Sequence, residues 1–165
     1  MIFEARWVSA MAPVEGRRCR AVRQAGPTSA LRARHFARQT KLYATIEGYA
    51  FATDPCGAGL CEDQNLDELA AVTDATPVSV CLDAASWDDY TGGVLRADSC
   101  SSAYIDVDHC VQLVGYDAEA EEPYWLVRNS WSTSWGENGY IRLQLDANTC
   151  GIADEATVAK VSGVW

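Results

Sequence analysis

His109 and Asn129 are the two side chains whose types could do chemistry together. An amide carbonyl that holds one imidazole nitrogen leaves the other aimed outward, free to take a proton from a nucleophile. With a thiol as that nucleophile, the imidazole accepts its proton and the imidazolium stabilises the thiolate. An attackable carbonyl can then be converted to an acyl-enzyme. A single histidine on a strand is more often structural, so the reading depends on whether the chain brings these two side chains together.

The elements around them suggest that it does. The acidic stretch 117–123 separates two apolar strands, predicted over 109–116 and 124–131, and the simplest connection is an antiparallel hairpin with Tyr116 near Glu122. Counting outward, Val114 faces Tyr124, Gln112 faces Leu126 and His109 falls opposite Asn129, on the same face of the sheet. A slip of one residue would separate them. Extended structure is also expected over 42–51 and 78–82, and over 140–145 with Ile141, Leu143 and Leu145 on one side. A loop follows the first of these at Asp54-Pro55-Cys56-Gly57. Asn65, with Glu68 three residues on, caps a helix that places Leu66, Leu69 and Ala70 on one face, and Pro77 closes the connection. Residues 86–93 read as a loop anchored by Trp87 or Tyr90. The fold class is α+β: a mostly antiparallel sheet with one short helix.

Charge divides the chain in two. Residues 1–41 hold 9 of the 13 basic residues and 2 acidic ones, whereas residues 42–165 hold 4 basic against 21 acidic residues. So acidic a body repels phosphate backbones, which argues against nucleic acid as its partner. The Arg-rich segment 1–41 is expected to be a disordered or wrongly predicted extension, with an organelle presequence as the rival reading. No apolar run reaches the roughly 18–20 residues that cross a bilayer, and the opening Met1-Ile2-Phe3-Glu4-Ala5-Arg6 is too charged for a secretory signal core. Seven cysteines, an odd number, allow at most three pairs and one thiol left over. An oxidising compartment is the natural reading of so many, and a reduced protein with buried thiols stays open beside it. Cys81 and Cys110 lie on strands that could be neighbours, and Cys56 with Cys61 would close a short loop. No metal is expected, because His109 and Cys110 are adjacent on a strand and point to opposite faces.

The run Asn129-Ser130-Trp131-Ser132-Thr133-Ser134-Trp135-Gly136-Glu137-Asn138-Gly139-Tyr140 resembles the papain-like cysteine protease family. There, Asn-Ser-Trp, Trp-Gly and Gly-Tyr surround the catalytic Asn. Val107-Asp108-His109 is similar to the segment that carries the family's catalytic His, and Pro77-Val78-Ser79-Val80 and Cys150-Gly151-Ile152 match as well. The resemblance covers 42–165 and implies the C-terminal β-sheet or barrel half of the papain-like fold. It implies His109 as general base and acid, Asn129 as its orienting group and Trp131 as the cover of that pair. Trp135 would line the leaving-group side, and Val107 and Glu155 would line the substrate pocket, where a carboxylate would accept Arg as well as apolar side chains. It also implies a Cys100–Cys150 disulfide, peptide or protein substrates, protein inhibitors as possible partners, no cofactor, and a lysosomal, vacuolar or extracellular setting.

The sequence departs from that pattern in two places. The family's N-terminal helical half carries the nucleophilic Cys and an oxyanion-hole Gln, and residues 1–41 match neither. Cys19, in Gly16-Arg17-Arg18-Cys19-Arg20, lacks the family's surroundings and is left as the odd thiol. The chain alone is therefore expected to be inactive, with exposed apolar surface around His109, Trp131 and Trp135. Ser132 stands where the family usually has Gly.

Overall fold

The computed structural model describes residues 44–57, 61 and 64–164. The Arg-rich segment and Cys19 lie outside the described residues. Seven strands form one sheet: β1 (Ala44–Phe51), β2 (Val78–Leu82), β3 (Val94–Leu95), β4 (His109–Asp117), β5 (Tyr124–Arg128), β6 (Tyr140–Gln144) and β7 (Glu155–Val164). Their order across the sheet is β1-β7-β2-β4-β5-β6-β3. Every pairing is antiparallel except that of β3 with β6. The sheet stays open with β1 and β3 at its edges, so the barrel alternative is not realised among the described residues. Among the described residues one α-helix, α1 (Leu66–Ala75), packs against β4. It is not long and apolar enough to cross a membrane.

Local sequence accounts for most of these elements. Asn65 caps α1 by accepting the Glu68 backbone N–H at 3.0 Å, and the helix turns Leu69 into the core with no exposed surface. Alternation places Trp125 and Val127 of β5, and Ile141 and Leu143 of β6, in the same core. On β2, Val78, Val80 and Leu82 point into it as well. The strand predicted over 124–131 ends three residues early. The Asn129 N–H leaves the ladder to donate to the Gly139 carbonyl at 2.9 Å, which turns Asn129, Ser130 and Trp131 into a loop.

The hairpin register also departs from the simple count. Near the turn Tyr116 pairs with Trp125, not near Glu122, and Asp117 pairs with Tyr124. Toward the other end Leu113 pairs with Val127 and Gln112 with Arg128. Val114 is the extra residue between these two stretches, a β-bulge that shifts the register by one. Without it, the pairing at the turn would carry through and place His109 on the face opposite Asn129, since a slip of one exchanges the faces of a strand. With it, His109 lies two positions from the direct partner of Asn129 and on the same face, so the count errs by two and keeps its parity.

Leu69→Ala is expected to cost about 2–5 kcal/mol of unfolding free energy, because its side chain is fully enclosed. Asn65→Ala is expected to cost about 1 kcal/mol through the lost cap. Urea denaturation of the two variants measures both.

Candidate active site

At the N-terminal end of β4, His109 Nε2 lies 2.9 Å from Asn129 Oδ1. Asn129 Oδ1 also accepts the Ser130 backbone N–H at 2.7 Å, and this second donor fixes which way the amide points. Because Oδ1 only accepts, Nε2 carries the proton, and a neutral His109 presents Nδ1 as a free acceptor. That is the electronic state a general base requires.

An aromatic wall holds the ring in place. Trp131 stacks on His109 with centroids 5.2 Å apart and planes 25° apart. Trp87, fully buried, meets the edges of both His109 and Trp131 and stacks on Trp135 at 6.1 Å. Trp135 closes the group against Trp131, against Tyr90 at 5.5 Å, and through its Nε1–H to the Trp87 carbonyl at 3.1 Å. Trp131 and Trp135 are half-buried in consequence, not the open apolar face that the sequence suggests. Large exposed apolar side chains sit instead on β1 and β7, at Ile46, Tyr49, Phe51 and Val161, and at Ile105.

The loop 129–139 that presents Asn129 and both tryptophans depends on left-handed backbone. Ser132, Gly136, Asn138 and Gly139 have φ of 79°, 52°, 58° and 92°. Ser132 adopts this conformation with a side chain where glycine would do so freely, and its hydroxyl meets Ser134 at 2.7 Å and accepts the Ser134 N–H at 3.2 Å. Glu137 pins the loop to its neighbours: its carboxylate takes the Arg142 guanidinium and accepts the Gly93 N–H at 3.0 Å. Arg142 holds the Glu137 carboxyl below its ordinary range, with the Gly93 N–H assisting and partial burial opposing. Tyr90 ties the same two segments, donating to the Gly93 carbonyl at 2.6 Å and accepting the Arg142 N–H at 3.2 Å. Burial is the main cause that raises its phenol pKa.

The remaining sequence candidates fall nearby. Val107 is half-buried and closes the 3-10 turn Tyr104–Asp106, its N–H donating to the Tyr104 carbonyl at 3.3 Å. Glu155, half-buried and not exposed, opens β7 opposite Cys81 and accepts the Tyr104 hydroxyl at 2.5 Å. Cys56–Cys61, Cys81–Cys110 and Cys100–Cys150 are all bonded as disulfides. One close group of ligand-type atoms exists among the described residues, Cys56, Cys61 and Asp154. Its two sulfurs are bonded to each other, which leaves a single carboxylate, that of Asp154, whose pKa burial raises. Trp87, Tyr90, Glu137 and Arg142 are structural partners of the site that sequence reasoning did not assign to it. Trp87 and Tyr90 stood out only as alternative loop anchors, and both serve.

The chain is similar to known proteins over most of its length. A family model described as papain family cysteine protease matches residues 9–160. Human cathepsin O is 44% identical over 92 residues, covering 55% of this chain and 28% of its own length. Digestive cysteine proteinase 2 of Homarus americanus is 48% identical over 90 residues, 53% of this chain and 27% of its own. The chain thus spans under a third of these curated relatives. Among solved structures, procathepsin L 3 of Tenebrio molitor larval midgut superposes with a TM-score of 0.58 at 35% identity, over 70% of this chain and 36% of that one. Bromelain from Ananas comosus, in complex with the E64 inhibitor, superposes with a TM-score of 0.56 at 29% identity, over 71% and 51%.

Gly136→Ala is expected to destabilise the protein by more than about 2 kcal/mol. The new Cβ would lie 2.6 Å from the Tyr140 carbonyl oxygen and 3.0 Å from the Tyr90 ring, on backbone that disfavours a side chain. Thermal and urea unfolding measure the loss. Glu137 also predicts a pH dependence. Its carboxyl is lowered in the folded state, so its contribution is present above the unfolded value and is lost as pH falls through the folded one. The advantage of wild type over Glu137→Gln should be full from about pH 5 upward and shrink below about pH 4. Urea midpoints of the two proteins across that range test it.

Proposed function

The chain belongs to the papain family of cysteine proteases, and on that premise we propose that its activity is peptide-bond hydrolysis by a Cys-His-Asn mechanism for which it supplies the base and the orienting amide. The 2.9 Å contact of His109 Nε2 with Asn129 Oδ1, beneath Trp131, carries this reading. In it, Nδ1 of His109 takes the proton of a thiol and later delivers it to the leaving amine. Asn129 keeps the ring turned, and the tryptophans keep water from competing for its hydrogen bond. Trp135 lies on the leaving-group side, and Val107 and Glu155 belong to the substrate pocket. The substrates are peptides or proteins, and protein inhibitors would occupy the same face. Three disulfides among the described residues favour an oxidising setting, lysosomal, vacuolar or extracellular. Residues 1–41 are assigned to an extension separate from the 42–165 domain.

One observation favours a second reading. All six cysteines among the described residues are in disulfides, so none of them offers a thiolate. The chain would then be a catalytically inactive member of the family that binds peptides or partners through the face around His109.

Labelling with a thiol-directed peptide electrophile separates the two. The peptidase reading expects covalent labelling and hydrolysis that His109→Ala lowers by about 100-fold or more and Asn129→Ala lowers less, through kcat. Peptide binding with no labelling at any thiol supports the inactive reading. For the pocket, Glu155→Ala is expected to lower kcat/KM for Arg-containing peptides by about tenfold while sparing Phe-containing ones. Equal effects on both would remove Glu155 from the pocket.

A further inference from the structure

The backbone of the strand end that carries His109 is paired on one side only. The ladder between β4 and β5 begins at Gln112, so residues 109–111 have no backbone pairing on the β5 side. On the other side, β2 pairs Leu82 with His109, Cys81 with Cys110 and Val80 with Val111. The Cys81–Cys110 disulfide therefore joins these strands one register step from the imidazole. Beyond it, His109 is held by the Asp108 N–H to the Leu82 carbonyl at 3.1 Å, by Asp108 Oδ1 accepting the Ala84 N–H at 2.9 Å, and by Asn129 itself. The two cysteines differ in exposure, Cys81 being 1% exposed and Cys110 an exposed residue.

We propose that Cys81 and Cys110 are a redox-controlled positioning pair for His109: closed, the disulfide locks the β4 end in the register where the imidazole meets Asn129, and opened by a dithiol it releases that end. The proposal rests on His109 being the base. A thiolate of the dithiol attacks Cys110 Sγ, on the exposed residue of the pair, and the Cys81–Cys110 bond breaks with its electron pair passing to Cys81 Sγ, which takes up a proton. The second thiolate of the reductant then displaces Cys110 Sγ, which is protonated in turn. The protein gains two electrons and two protons, and the dithiol ends as its own disulfide. Residues 109–111 lose the covalent tie and are left on β2 by backbone pairing alone, from which the β4 end can fray on the side that β5 does not pair.

The test uses the whole chain carrying His35→Gln, so that His109 gives the only imidazole signal, with nitrogen-15-labelled histidine. NMR follows proton exchange at Nε2 while dithiothreitol is raised in steps, and alkylation with mass spectrometry identifies which cysteines have opened. Exchange is expected to accelerate about tenfold or more as Cys81 and Cys110 become alkylatable, and to return on reoxidation. A Cys56→Ser/Cys61→Ser variant, which lacks a different disulfide, should leave the signal unchanged. An unaltered His109 signal with both Cys81 and Cys110 alkylated overturns the proposal, as does a Cys110 that stays closed to dithiothreitol in folded protein. Cys81→Ala/Cys110→Ala should show the fast exchange permanently, and should it not fold, reversible reduction of the wild-type cysteines still decides. The signal is independent of turnover. Loss of the peptidase reading would leave a redox-sensitive imidazole, whereas an active protein with a redox-insensitive imidazole would remove only this proposal.

Discussion

An imidazole and a carboxamide on neighbouring segments can share a hydrogen bond only if both project from the same side of the sheet. In this chain that condition rests on the bulge at Val114, which offsets the pairing near the turn from the pairing near the site. The turn is free to adopt the register that suits Asp117 and Tyr124, while the other end keeps the parity that brings His109 to Asn129. The chemistry of the site is thus a consequence of one unpaired residue five positions away. Side-chain period two leaves no intermediate arrangement: a hairpin either has this parity or it has no site.

Orientation is a separate requirement, met by packing. The His109 ring lies between its Asn129 hydrogen bond and the Trp131 face, and Trp87 supports both rings from inside the core. Trp87 and Asn129 each contribute a buried donor with no acceptor, Nε1 and Nδ2. Buried unpaired donors cost about 1–3 kcal/mol each, so the site is less well satisfied than the sheet that carries it. The left-handed residues of the loop 129–139 add to that cost, and the Glu137–Arg142 pair offsets it by fastening the loop to β6 and Gly93. Stability drawn from the sheet is what holds a conformationally costly loop in a chemically useful shape.

Legibility in the sequence followed the range of the interactions. Asn65 with Glu68, the alternation of Ile141 and Leu143, and the Asn129 to Tyr140 run are local patterns, and each corresponds to an element at the expected place. The left-handed φ at Ser132 explains why glycine is usual there, which the departure itself had marked. The bulge was not legible, because Val111, Leu113, Gly115 and Val114 read as ordinary strand residues whichever of them is unpaired. The two-residue β3 is too short to show a period, and the role of Trp87 depends on Trp131 and Trp135, which lie far along the chain.

The two sulfur chemistries of this fold make opposite demands. A thiol nucleophile acts as thiolate and must stay reduced, whereas the Cys81–Cys110 tie exists only when oxidised. Both concern the same imidazole, one as the partner it would deprotonate and the other as the clamp beside it. Cys110 is an exposed residue while Cys81 is buried, so Cys110 is the side from which a reductant would approach the clamp. Cys100–Cys150 differs, since Cys150 is 1% exposed, Cys100 is half-buried, and neither cysteine lies on β2 or β4. Of these two disulfides, the one that includes an exposed cysteine is the one that ties β4 to β2 one register step from His109. On the proposed peptidase reading, a reducing setting that favours a thiolate also loosens His109, which would bound that activity from both directions of redox poise.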